Sequence, residues 1–228
     1  MEPGTREVWW ASTAWMRRWH ADILSDGERA RRAGLWDAGD RAQYTVAAAL
    51  LRLVAAPLTG ASAAHLVVDR TCPSCGRQHG RPRLPGTGLD VSISHSGATV
   101  AVAVSRAGEV GVDVQRVEDG SVQELSPLVL AESEAGHVAV AQGFFTYWTR
   151  KEALVKATGD GVMVPLPQVM VSPPGTPPRV LGYPRPGGLA ARLRDLCPEP
   201  GYVGALAVLS PRPVVVRERS GERLLTAG

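Results

Sequence analysis

The sequence predicts an α+β protein built from two halves, residues 1–108 and 109–228. Helix-like periodicity runs between residues 25 and 60, strict alternation of apolar and polar residues sets in at residue 90, and a second helix-then-strand succession follows after residue 120. At 228 residues and 44% hydrophobic content the chain is large enough to bury a core.

The elements follow in order. EVWWAST alternates weakly and reads as an opening strand, while SDGERARRAGL and AGDRAQYTVAAALLRLVAAPLTG read as helices. Ser25 is a suitable cap for the first helix, and Pro57 and Gly60 close the second. DVSISHS, TVAVAVS and VGVDVQRV read as three short strands. The turns between them, at Ser96-Gly97-Ala98 and Arg106-Ala107-Gly108-Glu109, predict an antiparallel meander. Residues 121 to 157 read as mostly helical, with Gly159 and Gly161 as stops. The Pro-rich stretch from Pro165 to Pro186 has no regular pattern, GYVGALAVLS reads as a late buried strand, and the Arg-rich segment from Pro211 reads as peripheral. No repeat is visible in the residues themselves.

A formal charge of +3 and a pI near 9.0 allow an acidic partner but do not choose among nucleic acid, a phosphorylated ligand and an acidic protein. Three cysteines do not make a disulfide framework, which fits a reducing compartment. Near the N-terminus, Arg17, Arg18 and Asp22 interrupt any apolar run that would serve as a signal peptide or membrane span. A cytoplasmic protein is expected.

Of 25 Lys plus Arg residues only Lys151 and Lys156 are lysine, and both fall in FTYWTRKEALVKATGDG. On a helix Trp148, Glu152 and Lys156 lie along one face, the Glu N-terminal to the Lys. An ordinary solvated ion pair is one reading. A chain that otherwise uses arginine points to a second, a compact ammonium that meets a phosphate oxygen.

In VGVDVQRV, alternation puts Val110, Val112 and Val114 on one face and Gly111, Asp113 and Gln115 on the other. Cα atoms two apart on a strand are about 6.6 Å apart, so Asp113 and Gln115 could turn their oxygens to one hard cation. An edge strand with solvated polar residues is the plainer alternative. SISHSG brings Ser94, His95 and Ser96 to a strand end, which suits an anion and equally suits turn capping. In CPSCGRQHGRP, Cys72, Cys75 and His79 have ligand-like spacing, but a fourth ligand such as Cys197 would have to come from afar. A plain Gly/Pro loop without zinc is expected.

Taken together, GRP at 80–82, SHS at 94–96, GVDVQ at 111–115 and WTRKEALVK at 148–156 resemble the ordered motif set of the 4′-phosphopantetheinyl transferases, most closely the larger, surfactin-synthetase-activating type. The resemblance covers residues 25 to 170. It implies a pseudo-twofold α+β fold with coenzyme A and magnesium in the cleft between the halves. It also implies transfer of 4′-phosphopantetheine to a serine of acyl or peptidyl carrier proteins, with release of 3′,5′-ADP.

By the same resemblance, the chain is a holo-[acyl-carrier-protein] synthase type enzyme of polyketide and nonribosomal peptide biosynthesis, a monomer with no nucleic-acid or membrane partner. Asp113, Gln115 and Glu152 are the magnesium set. Glu152, or water held by it, deprotonates the carrier serine, Lys156 binds phosphate and protonates the leaving group, and Lys151 assists electrostatically at the cofactor. Ser94 and His95 hold the coenzyme A phosphates, Gly80, Arg81 and Pro82 line the adenine side, and Arg31 lies near the 3′-phosphate. Two positions depart from the pattern: Gln115 where many relatives have a third acid, and Gln43 where many have arginine. Two other readings stand beside this one, a basic binding module using Arg29, Arg31 and Arg32 without catalysis, and a coenzyme A-binding relative without turnover.

Overall fold

The structure is a computed structural model that describes residues 5–73 and 75–227. The strands are β1 (Thr5–Ser12), β2 (Asp69–Thr71), β3 (Gln78–Arg83), β4 (Asp90–Ser96), β5 (Thr99–Ser105), β6 (Val110–Arg116), β7 (Met170–Val171), β8 (Val180–Gly182), β9 (Ala191–Leu196), β10 (Tyr202–Leu209) and β11 (Val215–Ser220). The helices are α1 (Asp26–Ala33), α2 (Ala38–Thr59), α3 (Val122–Val129), α4 (Glu132–Ala135), α5 (Ala141–Thr158) and α6 (Glu222–Thr226).

The chain divides into two compact units. The first runs to Ala107 and takes the chain up again from Val216, and the second is Gly108–Val215. The expected C-terminal half therefore needs correction at its end. The segment from Pro211, read as peripheral, contains β11, which pairs into the first unit's sheet, and α6, whose Leu225 is buried in that unit's core. Prolines at 211 and 213 just before β11, and a strand that turns charged after Val216, leave little apolar signal.

In the first unit the sheet order is β11-β1-β5-β4, with β1 and β4 antiparallel to β5. Every residue of β5 is buried, and its alternation puts Val100, Val102 and Val104 into a core shared with Val46, Leu50, Leu51 and Val54 of α2. Helix α2 is long and apolar enough to cross a membrane by length and composition. Burial of these side chains against the sheet accounts for that apolarity. Asp37 caps its start by accepting from the Asp40 N–H at 3.0 Å, and Gly60, at φ 74°, ends it in the left-handed region. The helix runs two residues past Pro57. Ser25 and Glu28 form a reciprocal capping box on α1, and buried Arg52 ties that box to α2, its Nε donating to Glu28 at 2.8 Å.

The second unit has the order β6-β10-β9, all antiparallel, with α5 packed on the sheet. This corrects the expected meander. β4 and β5 form a hairpin, but β6 pairs with β10, nearly ninety residues later. Two short strands, β7 and β8, pair inside the Pro-rich stretch read as patternless. The units also share a connectivity that the residues do not display. In each, a first strand leads through helices and a small two-stranded hairpin to a final hairpin, whose last strand takes the centre (β1-β5-β4 and β6-β10-β9).

Candidate active site

Strand β6 and helix α5 approach so closely that only glycine fits at position 111. A Cβ there would lie 2.0 Å from the Ala153 carbonyl oxygen and 2.4 Å from the Ala157 nitrogen, both backbone atoms that cannot swing away. The face of β6 that carries Gly111 also carries Asp113 and Gln115, so this contact brings the lower half of α5 over them. Gly159, at φ 78°, ends α5 one turn later.

There, Lys156 Nζ donates to Asp113 Oδ1 at 2.6 Å and to the Val112 carbonyl at 3.2 Å. Gln115 Nε2 donates to Asp113 Oδ2 at 3.1 Å, so both carboxylate oxygens of this buried aspartate are engaged. Half-buried Glu152 joins the group electrostatically. Burial first, and then the charge of Asp113, push its carboxyl above the usual carboxylate range, with Lys156 acting in the opposite direction. Two carboxylates whose mutual repulsion is resolved this way form a hard-oxygen donor set, and its chemistry fits a cation such as magnesium.

Lys151 is not part of this group. It is buried inside the second unit, where its ammonium donates to Val129 O at 2.7 Å, to Leu166 O at 3.1 Å and to the Glu134 carboxylate. An ammonium has three donors, and these three partners take them all. The expectation that Lys151 assists at the cofactor is corrected accordingly. It anchors α5 to α3 and α4.

The remaining site candidates lie in the first unit. A cavity of about 300 Å³ is lined by Arg31, Arg70, Arg77, Tyr44, Gln78 and His79, among others. Arg31 donates to the Gln78 carbonyl at 2.8 Å with its guanidinium over the Tyr44 ring. The Nε of Arg70 is buried without a hydrogen-bond partner among the described residues. Three arginines around one cavity make it suited to an anion. Arg70 and Arg77 were not anticipated, because in a chain this rich in arginine they carry no distinguishing local pattern.

Of the residues expected to hold coenzyme A, only Arg31 lines this cavity. Arg81 pairs with Asp90, Pro82 is buried, Ser94 is buried in β4 and His95 is exposed near its end. Gly80 is pinned by the backbone of the facing strand, a Cβ there meeting Thr71 O at 3.0 Å and Arg70 O at 3.1 Å. Gln43, at the departure from arginine, donates to the Gly97 carbonyl at 2.5 Å and so holds the β4–β5 turn.

The loop between β2 and β3 differs from its expected plain character. The ligand atoms of Cys72, Cys75 and His79 all lie within 4.8 Å of one another.

Comparison with known proteins accords with the β6–α5 group. Residues 109–203, which include Asp113, Gln115, Glu152 and Lys156, match the model of the 4′-phosphopantetheinyl transferase superfamily. The chain is 27% identical over 195 residues to the 4′-phosphopantetheinyl transferase HetI of Nostoc sp., covering 82% of this chain and 79% of that protein. It is 27% identical over 96 residues to a 4′-phosphopantetheinyl transferase of Bacillus subtilis, and 35% identical over 91 residues to AcpT of Salmonella typhi, also named a 4′-phosphopantetheinyl transferase. The matched stretches span 42% and 47% of those two relatives.

Proposed function

We propose that the chain is a magnesium-dependent 4′-phosphopantetheinyl transferase that moves phosphopantetheine from coenzyme A to a serine of acyl or peptidyl carrier proteins and releases 3′,5′-ADP. The observation that carries this reading is the Asp113, Glu152 and Lys156 group, built across β6 and α5 inside the segment that matches the superfamily.

Asp113 and Glu152 would hold the ion, with Gln115 as a neutral oxygen ligand once its amide turns. Bound there, magnesium would neutralise charge on the pyrophosphate oxygens of coenzyme A. Glu152, or a water held by it, takes the proton of the carrier serine. Lys156 places an ammonium where charge develops as the phosphoanhydride bond breaks, and supplies a proton to the departing phosphate oxygen. In the first unit the arginine-lined cavity takes an anionic part of the nucleotide, with Arg31 near the 3′-phosphate; His95, outside that lining, is proposed as a second phosphate contact by the resemblance alone. The surfactin-synthetase-activating subtype is part of the proposal, and the match to HetI over most of the chain supports a relative of the larger kind.

Incubating the chain with coenzyme A, magnesium and a varied panel of apo carrier proteins tests the reading by intact mass. The expected result is a gain of one phosphopantetheine on at least one carrier, abolished by a carrier Ser→Ala substitution. No gain on any carrier, with folded enzyme and metal present, overturns it.

A further inference from the structure

Hydrogen bonds among the described residues between β2 and β3 bring two thiols toward one imidazole. Cys72 N–H donates to Arg77 O and Gly76 N–H to Cys72 O, each at 2.8 Å, and Gly76 sits at φ +70°, a conformation that favours glycine. The turn folds Cys75 back beside Cys72. The next residues form β3, where Gly80 lets that strand approach the opposite backbone closely, its would-be Cβ only 3.2 Å from Cys72 Cα. His79 is thereby placed opposite the thiols, its Nε2 2.9 Å from Cys75 Sγ. The sequence spacing alone could not show this, because closure depends on a strand pairing.

We propose that Cys72, Cys75 and His79 bind a zinc ion with three protein ligands and a fourth position open to water. In a tetrahedral site with Zn–S near 2.3 Å and Zn–N near 2.0 Å, ligand atoms are separated by roughly 3.5–3.8 Å. All three ligand atoms here lie within 4.8 Å of one another, so an ion is accommodated by side-chain adjustments of about an ångström. Two thiolates and an imidazole select zinc over the hard cations suited to the Asp113 group. The turn also directs the Arg77 backbone N–H at the Cys75 sulfur, the kind of outer contact that steadies a ligating thiolate.

The consequence is local. A lone two-stranded hairpin is marginal in water, and β2 and β3 have only three and six residues. Zinc would join their connecting loop to β3 just before Gly80, Arg81 and Pro82. It would also hold His79, and with it one wall of the arginine-lined cavity. The site does not rest on the transferase reading, since a chain that modifies no carrier could still hold the ion.

The test uses the full chain, expressed without a histidine tag and purified with zinc in the medium. Elemental analysis is expected to give about one zinc per chain after dialysis against a weak chelator. Exchange for cobalt is expected to give a thiolate-to-cobalt charge-transfer band. A thiol reagent should modify one cysteine quickly, Cys197, and all three once a strong chelator is added. Cys72→Ser and Cys75→Ser should each lose the zinc, and His79→Ala should weaken it by at least about tenfold. If a variant fails to fold, the cobalt spectrum and thiol reactivity of the unaltered chain decide. The proposal is overturned by wild-type protein without zinc whose three thiols react at once. A Cys72–Cys75 disulfide in freshly reduced and zinc-treated protein, or zinc retained unchanged in Cys72→Ser, would overturn it equally.

Discussion

Lys156 Nζ lies 2.6 Å from Asp113 Oδ1, joining the last turns of α5 to the middle of β6. The lysine side chain is 29% exposed and that of the aspartate 2%, so the ion pair reaches from the buried sheet toward the surface. Lys156→Ala is expected to lower kcat by about 10²–10³. Lys156→Arg should recover only part of it, because a planar fork cannot take the place of a compact ammonium. Steady-state transfer rates check this, and full activity in the arginine variant would show that charge alone suffices.

The raised pKa of Glu152 gives a sign for the pH dependence. The folded protein favours the protonated carboxyl relative to the unfolded chain, so this group's contribution to stability is present below the unfolded carboxylate pKa. It is lost as pH rises through the higher folded value. Metal-free Glu152→Gln should therefore lose less stability between acid and neutral pH than the wild type, while losing transfer activity. Thermal midpoints across that range measure the effect. Parallel curves for the two proteins would remove the claim.

Lys151 and Glu134 should behave as structure rather than chemistry. Removing one partner of a buried ion pair leaves the other charge stranded, so Lys151→Ala is expected to cost about 3–5 kcal/mol of stability. The transfer rate per folded molecule should fall far less than in Lys156→Ala. Denaturant titration combined with active-enzyme counting separates the two, and a stable Lys151→Ala protein with lost kcat would return this residue to the catalytic group.

His95→Ala should weaken coenzyme A binding by about 1.5–3 kcal/mol, the scale of one charge-assisted contact. Dephospho-coenzyme A is the control: the wild type should bind it more weakly than coenzyme A, and the variant should lose little with it. Equal losses with both nucleotides would show that His95 does not read the 3′-phosphate.

At Gly111 even one methyl group is too many. Gly111→Ala must push α5 away from β6, since the obstructing atoms belong to the backbone. The expected cost is about 3 kcal/mol or more, with lower activity in whatever fraction folds. Calorimetry and transfer assays are the measurements, and wild-type values for both would refute the close approach.

Much of this geometry was legible in advance, and the limits have physical reasons. Period-two alternation placed Asp113 and Gln115 on one face, and the i, i+4 spacing put Glu152 and Lys156 on one line, because both follow from local backbone geometry. Alternation does not name a strand's partner, so the pairing of β6 with β10 was out of reach. Lysine scarcity draws attention to α5 but does not separate its two lysines. The difference is made by Glu134, seventeen residues away on a four-residue helix. The proximity of Cys72, Cys75 and His79 was out of reach for the same reason as the partner of β6: it comes from pairing of β2 with β3.

The return of β11 and α6 to the first unit bears on how the polypeptide matures during synthesis. Domains generally fold as they emerge from the ribosome, at roughly 5–20 residues per second. The second unit is a continuous stretch and is complete once Val215 has left the tunnel. The first unit, begun earlier, still lacks its outer strand and the buried Leu225 at that moment. The part made first is thus the last to finish. For the interval before residues 216–227 arrive, β1 presents an unpaired edge, the kind of exposed template that a finished sheet covers.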